Sequence, residues 1–411
     1  MTPESLLRAL FDKAVEVADP MRSLARHLPP RPPGRVVVVG AGKASARMAE
    51  AVEAAWGPCE GLVITRYGYG RPCQGIEIVE AAHPVPDAAG AGATARMLDL
   101  LAGLAPTDFV LALISGGASA LLVAPVAGVT LAEKQAVNAA LLASGAPIAQ
   151  MNTVRKHLSR VKGGQLAAAG PARMLALMIS DVPGDDMAFI GSGPTVGDAS
   201  TPADALAILE RWKVQVPPSV TAALQGPGRV IPPSDPRLAR VENRIYAAPA
   251  QSLAAAQALA EAQGLKVHLL GDALEGEARE VASAMATQAL SLRSEAPVLL
   301  LSGGELTVTR KGNGIGGPNA EFCLALAIAL NGAPGIHAIA CDTDGVDGAA
   351  EVAGAVIGPD TLAKARRRGI DPVAALSAND AHTFFAAIGD QVVTGPTLTN
   401  VNDFRAVLIL P

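Results

Sequence analysis

The chain has 411 residues, more than one hydrophobic core usually supports, so its length predicts two domains. Half of the residues are apolar, only 3% are aromatic, and the formal net charge is −5. This composition excludes a disordered chain, and the lack of a basic stripe argues against a nucleic-acid partner. The four cysteines stand far apart without a CxxC pair, as is typical of a reducing compartment. No apolar run has the length of a membrane span and no segment has the pattern of a signal peptide, so we expect a cytoplasmic protein.

Predicted helices and strands alternate along the chain. Thr2-Pro3-Glu4-Ser5 indicates a capped first helix, and further helices are predicted at Ala44–Trp56 and from the capping box at Thr130 to about Leu142. Five apolar runs, each followed at once by small or polar residues, predict buried strands at Val36–Val39, Phe109–Ile114, Met174–Ile179, Val298–Leu301 and His337–Cys341. The alternation predicts α/β domains with largely parallel sheets, in which ligands bind at the carboxyl ends of the strands.

Two proline-rich stretches interrupt the pattern. Pro29–Gly34 separates the first helix from the first strand, and Pro217–Pro236 contains two Pro-Pro pairs. We take the second stretch as the domain boundary, which predicts domains at residues 1–235 and 236–411.

The loop after the first strand is glycine-rich. Val39–Ser45 resembles a dinucleotide fingerprint, but Ser45 stands where Gly or Ala is expected. Arg66, rather than an acidic residue, ends the next strand, which on a dinucleotide interpretation indicates NADP. Lys43 at a helix N-terminus opposes the helix dipole at a cost of roughly 0.3–1 kcal/mol unless an anion binds there. Lys43 is therefore a candidate phosphoryl contact, the alternative being a solvated lysine beside a tight turn.

A second glycine loop and a basic segment are candidates for binding anions. Ser115, Gly116 and Gly117 follow a predicted strand, and their amides could approach a carboxylate or phosphate. The alternative is a turn that needs positive φ. If the segment from Met151 onward is one helix, Arg155 and Lys162 share a flank from which they can reach a cleft.

On the same predicted helix Val154, Leu158, Val161 and Gln165 would form the packed face, whereas Lys156 and Arg160 would point to solvent.

Two acidic loops are candidates for metal binding or proton transfer. Ser180–Asp186 and Asp342–Gly348 each follow a predicted strand, and clustered carboxylates suit Mg²⁺. Aspartates are also common in ordinary turns. The two loops supply Asp181 and Asp344 as candidate catalytic or metal-binding residues.

Glycine-rich segments also occur in the C-terminal half. Ser302–Glu305 follows a predicted strand, and Lys311–Glu321 is too rich in glycine for a core element and leads into a helix at about Ala320. The pattern GxxxxGK[ST] is absent, which excludes a P-loop protein.

Together these motifs resemble the glycerate 2-kinase family, whose C-terminal half is the MOFRL domain. The resemblance covers nearly the whole chain, and its motifs are GAGKAS at 40–45, SGGASALL at 115–122, NTVRKHLSRVKGGQLA at 152–167, SDVPGDD at 180–186, GSGPT at 191–195, SGGELTVT at 302–309, GGPNAEF at 316–322, DTDGVDG at 342–348 and TGPTLTNVND at 394–403.

The resemblance implies a Rossmann-like larger domain and a smaller MOFRL domain around an inter-domain cleft. It also implies transfer of the γ-phosphoryl group of ATP to D-glycerate with a divalent metal, Mg²⁺. We then expect Ser115, Gly116, Gly117, Arg155 and Lys162 to bind the substrate. Lys43 would neutralise the phosphoryl group, and Asp181 and Asp344 would divide proton acceptance and metal binding. The expected nucleotide contacts are Ser302, Gly303, Gly304, Glu305, Gly314, Asn319 and Glu321.

One departure and two alternatives stay open. Many family members carry Arg where this chain has Pro318, so the role of that loop is in question. One alternative function is an NADP-dependent hydroxypyruvate reductase, which the GAGKAS loop suggests. The other is a non-catalytic phospho-sugar sensor, against which the acidic loops argue. The sequence fits either a monomer or a homodimer.

Overall fold

The structure is a computed structural model that describes residues 2–293, 296–348 and 350–411. It forms two compact units, one made of Ser23–Tyr246 and the other of the residues up to Arg22 together with Ala247–Pro411. We call the first the parallel-sheet unit and the second the mixed-sheet unit. The division differs from the predicted boundary at residue 235, because the N-terminal segment belongs with the C-terminal half.

The first helix, α1 (Pro3–Ala18), explains this difference. As predicted, Thr2 caps it, with the hydroxyl accepting a hydrogen bond from the amide of Ser5 at 3.2 Å. Its apolar side chains, including Phe11, pack into a core built from the C-terminal half of the chain. The rings of Phe11 and Phe404 meet edge to face at 5.8 Å. A short helix, α2 (Pro20–Ser23), follows.

The parallel-sheet unit contains a six-stranded sheet with helices between its strands. The strands are β1 (Val36–Ala41), β2 (Glu60–Arg66), β3 (Ile76–Ala81), β4 (Phe109–Ile114), β5 (Arg173–Ile179) and β6 (Val241–Ala247). The helices are α3 (Ser45–Trp56), α4 (Ala88–Ala102), α5 (Ala118–Leu121), α6 (Leu131–Ser144), α7 (Ile148–His157), α8 (Pro202–Arg211) and α9 (Pro218–Gln225), with 3₁₀ turns at Leu24–His27, Ala167–Ala169, Ile190–Ser192 and Pro236–Arg240.

The strand order brings the predicted loops to one edge. The order is β3-β2-β1-β4-β5-β6, and neighbouring strands from β3 to β5 run parallel. Ala41 pairs with Ile114, and Ile114 pairs with Met178, so β1, β4 and β5 end side by side. The loops that carry Lys43, Gly117 and Asp181 therefore leave the same carboxyl edge of the sheet.

The mixed-sheet unit contains a second six-stranded sheet and a two-stranded ladder. Its strands are β7 (Lys266–Leu269), β8 (Gly276–Glu277), β9 (Val298–Ser302), β10 (Leu306–Thr307), β11 (Ile336–Asp342), β12 (Gly354–Ile357), β13 (Gln391–Val392) and β14 (Asp403–Ile409). Its further helices are α10 (Pro249–Ala262), α11 (Ala278–Ser291), α12 (Pro318–Leu330), α13 (Thr361–Arg367), α14 (Pro372–Ser377) and α15 (Ala381–Ile388).

The direction of the strands in this second sheet corrects the expectation of largely parallel sheets. The order is β13-β12-β11-β14-β9-β7, and only β7 and β9 pair in parallel. The other pairs are antiparallel because β14 returns between β9 and β11, and β12 folds back on β11. The buried apolar runs had indicated strands covered on both faces, and such runs do not encode strand direction.

The structure confirms the other predicted elements, with one exception. All five predicted strands are present, and α6 has the predicted capping box between Thr130 and Glu133. The exception is the helix predicted from Met151 onward, because α7 ends at His157. In the part of the chain that the structure describes, no helix has both the length and the apolar character needed to cross a membrane.

We expect Phe11→Ala to destabilise the mixed-sheet unit by about 3–5 kcal/mol, because the buried ring would leave a cavity. Hydrogen exchange measured by mass spectrometry should show lost protection in α10 and unchanged protection in β1. Asp12→Ala, on the exposed face of the same helix, is the control and should cost at most about 1 kcal/mol. Lost protection in β1 with α10 unaffected would contradict the assignment of α1.

Candidate active site

The loop between β1 and α3 is bound to its neighbours through its own amides. A Cβ on Gly42 would lie 2.0 Å from Ser115 Oγ, so only glycine permits this approach. The amides donate from Gly42 to Ile64 O at 3.1 Å, from Lys43 to Gly116 O at 2.8 Å, from Ala44 to Ser115 Oγ at 3.1 Å and from Ser45 to Gly42 O at 3.2 Å. All four amides are engaged within the fold, so none of these four is open to a pyrophosphate.

Ser115 joins the two loops at the sheet edge. Its side chain is fully buried, and its Oγ lies 3.2 Å from Ser45 Oγ. The Ser45 hydroxyl in turn donates to Leu113 O at 3.0 Å. The Ser115 side chain thus holds the two loops together. A ligand of this loop would therefore contact Gly116 and Gly117.

Gly116 and Gly117 present the amides that the first loop lacks. Within residues 2–293, 296–348 and 350–411, neither amide donates to an acceptor. Gly117 has φ +83°, and a Cβ there would lie 3.1 Å from His83 Nε2 and 3.3 Å from Lys43 Cγ. The Gly117 turn therefore lies between the half-buried side chain of Lys43 and the imidazole of His83. His83 follows β3 outside any motif, so the sequence did not reveal it.

A cavity of about 700 Å³ adjoins this turn. The lining residues are His83, Pro84, Val85, Pro86, Gly117, Ser119, Ala120, Ala132, Gln135, Ala136, Asn138, Ala139, Leu142, Ile148 and Arg155. The lining combines a few polar and cationic groups with a larger number of aliphatic residues. Such a cavity is suited to a ligand with an anionic end.

Arg155 on α7 is the cationic group of this cavity. Its Nη1 donates to Asn152 Oδ1 at 3.4 Å, while its buried Nε has no hydrogen-bond partner. Burial lowers the pKa of the guanidinium, and no carboxylate of the described residues pairs with it. A half-buried cation without a carboxylate partner favours an anionic ligand. The predicted role of Arg155 as an anion contact is compatible with this position.

Lys162 lies elsewhere than predicted. Because α7 ends at His157, Arg155 and Lys162 do not share a helix flank. Lys162 is 1% exposed, and its ammonium group donates to Ser119 O at 2.7 Å and Leu122 O at 3.3 Å. Burial, with repulsion from Lys134 and Arg155, holds its pKa well below the ordinary value. Lys162 braces the short helix α5 from behind and does not line the cavity.

Two further lysines differ from expectation. Lys156 was predicted to face solvent, yet it is buried and pairs with Asp198 at 2.5 Å. Lys134 was not singled out, yet it is buried and donates to Leu158 O at 3.0 Å. Burial, with repulsion from Arg155, lowers the pKa of Lys134 to about 7. Arg160 is exposed, as predicted.

The two acidic loops differ in exposure. Asp181 lies two residues after the end of β5 and is half-buried at the sheet edge. Asp344 is fully buried, and its Oδ1 accepts the amide of Val346 at 2.8 Å. Within the described ranges, no group of three or more His, Cys, Asp or Glu side chains could hold a metal ion.

Asn319 and Glu321 serve the fold of the mixed-sheet unit. Asp347 caps α12 by accepting the amides of Asn319 at 3.0 Å and Ala320 at 2.8 Å. The buried side chain of Asn319 donates to Asp403 Oδ1 at 2.7 Å. Glu321 is 1% exposed and pairs with Arg279 at 2.6 Å. These partners explain both side chains without a nucleotide.

Packing also explains most of the glycines predicted to contact a nucleotide. A Cβ on Gly304 would lie 2.3 Å from Leu274 N, and one on Gly314 would lie 2.4 Å from Asp380 Cβ. The carbonyls of Gly303 and Gly304 accept hydrogen bonds from the buried Arg405. The buried hydroxyl of Ser302 has no partner, and Glu305 is exposed.

Burial raises the pKa of Asp403 to about 7 against the opposing effect of Arg405, which lies 3.1 Å away.

Comparison with known proteins covers both units. A domain of unknown function, DUF4147, matches residues 6–225, and the MOFRL family matches residues 298–403. An Agrobacterium vitis protein provisionally named hydroxypyruvate reductase is 54% identical over 100% of this chain and 95% of its own length. The D-glycerate 2-kinase of Thermotoga maritima is 39% identical over 99% of both chains.

A solved structure agrees with these matches. The crystal structure of a glycerate kinase from Thermotoga maritima, 38% identical, covers 99% of this chain and 100% of its own with a TM-score of 0.88. The similarity of fold thus extends over the full length of that enzyme. The chain belongs to the glycerate 2-kinase family.

Proposed function

We propose that this protein transfers the γ-phosphoryl group of ATP to the C2 hydroxyl of D-glycerate, giving 2-phosphoglycerate. The relative named D-glycerate 2-kinase supports the reaction. The observation that favours a kinase over a reductase is the hydrogen bonding at residues 42–45. Their four amides are engaged within the fold, so none of them is available to bind a pyrophosphate in the loop that resembles a dinucleotide fingerprint.

The acid would bind at the Gly116–Gly117 turn. The amides of Gly116 and Gly117 are open to an acceptor, and Arg155 supplies a cation at the same cavity. A carboxylate accepting these charge-assisted hydrogen bonds would fix glycerate by its C1 group. Ser115 supports the turn through its buried hydroxyl, and Lys162 supports the adjoining helix.

Phosphoryl transfer depends mainly on positioning and on neutralising charge. Lys43, beside Gly117, would stabilise the negative charge of the transferring group. The C2 oxygen forms a bond to the γ-phosphorus as the bond from that phosphorus to the β,γ-bridging oxygen breaks, and ADP leaves. Asp181 would accept the hydroxyl proton, with Asp344 as the second candidate for this task or for metal binding.

Mg²⁺ is part of the proposal. It keeps several waters and often binds through one or two carboxylates plus substrate phosphates, so it needs no cluster of three protein ligands. Asp181 or Asp344 would hold it, and when bound it neutralises phosphate charge. The backbone at Ser302–Glu305 and Gly314 stays a proposed contact for the phosphates of ATP.

We propose that the protein is cytoplasmic. The four cysteines are free thiols, and Cys59, Cys323 and Cys341 are buried, which suits a reducing cytoplasm. For its oligomeric state we propose a monomer or a homodimer.

Purified protein mixed with D-glycerate, ATP and Mg²⁺ should release ADP. The proton-coupled ³¹P spectrum of the product should be a doublet, because a phosphate on C2 couples to one proton. A triplet would indicate phosphorylation at C3. Hydroxypyruvate with NADPH is the parallel assay, and NADPH oxidation without ADP formation in the first assay would establish the reductase instead.

Lys43→Met should lower kcat by about 10²–10³-fold with a smaller change in KM, because the lost charge acts mainly in the transition state. Lys266→Met, at an exposed position on β7, is the matched control and should keep wild-type kinetics. A Lys43→Met enzyme with normal kcat would remove this lysine from the chemistry.

Asp181→Asn and Asp344→Asn should separate proton acceptance from metal binding. The variant that loses the base should lose about 10²–10⁴-fold in kcat at every Mg²⁺ concentration. The variant that loses a metal ligand should recover activity as Mg²⁺ is raised. Initial rates are measured over a series of Mg²⁺ concentrations. Thermal unfolding of each variant confirms that it is folded. Two fully active variants would refute both assignments.

A further inference from the structure

We propose that the cavity beside α6 is the binding site for the nucleoside of ATP. This inference rests on the proposed kinase function and adds to it a location in the parallel-sheet unit. The sequence had assigned the nucleotide to loops of the mixed-sheet unit, where packing accounts for Asn319, Glu321 and two of the glycines.

The size of the cavity fits a nucleotide better than it fits the acid alone. Its volume of about 700 Å³ lies within the range for drug-sized ligands, roughly 300–1,000 Å³. Glycerate is far smaller and has no apolar group, so it would fill only the polar end. A second ligand with an apolar portion is needed to occupy the rest.

Two aliphatic walls line the cavity. One is the segment Pro84–Pro86, and the other is the face of α6 that carries Ala132, Ala136 and Ala139. The alanines lie at i, i+4 and i+7 and leave a flat surface because their side chains are short. Gln135 links the walls by donating to Pro86 O at 2.6 Å. A flat slot between aliphatic walls is suited to an aromatic base.

The rim of this slot leaves large apolar side chains in contact with water. Val85 is 60% exposed, Leu142 is 62% exposed, and Ile148 is 55% exposed. A base inserted between the walls would remove part of this apolar surface from water.

The side-chain amide of Asn138 can distinguish adenine from guanine. Asn138 lines the slot from α6, and its amide has no hydrogen-bond partner within the described residues. An Asn side chain pairs with N6 and N7 of adenine, accepting from the first and donating to the second. Guanine has acceptors at both positions and cannot form this pair. The slot therefore favours adenine over guanine.

The polarity of the cavity matches the order of groups in a nucleotide. Hydrogen bonds through Ser192 and Asn152 join Ser119 to Arg155, and Gly117 lies two residues before Ser119, whereas Asn138 belongs to α6. The phosphates would approach the Nε of Arg155, which has no hydrogen-bond partner, with the base among the alanines, while the amides of Gly116 and Gly117 stay with the carboxylate of the acid. This arrangement puts the γ-phosphoryl group at the turn where Lys43 lies and where the acid is proposed to bind.

Ala139→Trp tests the site by filling the slot from an exposed helix position, which leaves the fold intact. Calorimetric titration with β,γ-imido-ATP should show binding weakened by about tenfold or more, while KM for D-glycerate changes by less than about twofold. Ala55→Trp, at an exposed position on α3 away from the cavity, is the matched control and should bind like wild type.

Asn138→Leu should lose the preference for ATP over GTP by roughly 5–100-fold in kcat/KM, the range for one bidentate pair. Normal nucleotide affinity in Ala139→Trp, or a raised KM for glycerate alone, would overturn the site while wild-type ADP release still upheld the kinase. Absence of ADP release by the wild-type protein would instead reject the proposed function itself.

Discussion

The approach of the β1–α3 loop to the β4–α5 loop is the contact on which the candidate site depends. Gly42 has no room for a side chain because Ser115 Oγ occupies that space. The Ser115 hydroxyl then accepts the amide of Ala44, and Gly116 O accepts the amide of Lys43. These bonds consume the donors of one loop and leave the amides of the other unpaired. The division between a structural loop and a loop that is proposed to bind a ligand follows from this single contact.

Within the mixed-sheet unit, buried polar groups pair with one another. Asp347 accepts two amides at the start of α12 and lies 3.0 Å from His382 Nε2. Asp403 connects Asn319 to Arg405, which reaches the turn after β9. Such a network is costly to disrupt, since each member left unpaired would bear a desolvation penalty. It accounts for conspicuous polar residues in this half that need no ligand.

The sequence predicted the strands, the capped helices and the loops at the sheet edge, because these depend on local patterns. It failed where long-range packing decides the outcome. Lys156 and Lys162 looked like surface or cleft cations on an extended helix, but α7 ends early and both are buried. The antiparallel course of β14 and the burial of Asn319 arise from pairing across distant segments. His83 lies beside Gly117 only because β3 joins the same sheet.

The buried lysines of the parallel-sheet unit make its unfolding a proton-binding reaction. In the folded chain the pKa of Lys134 is lowered to about 7, whereas an exposed lysine has the ordinary value of 10.5. Between these two values the unfolded chain holds a proton that the folded chain lacks, and Lys162 shifts in the same direction. The free energy of unfolding therefore rises with pH across this window, and acidification toward pH 7 removes that part of the stability. Lysines that brace the main chain near the candidate site thus couple its integrity to the protonation of buried amines.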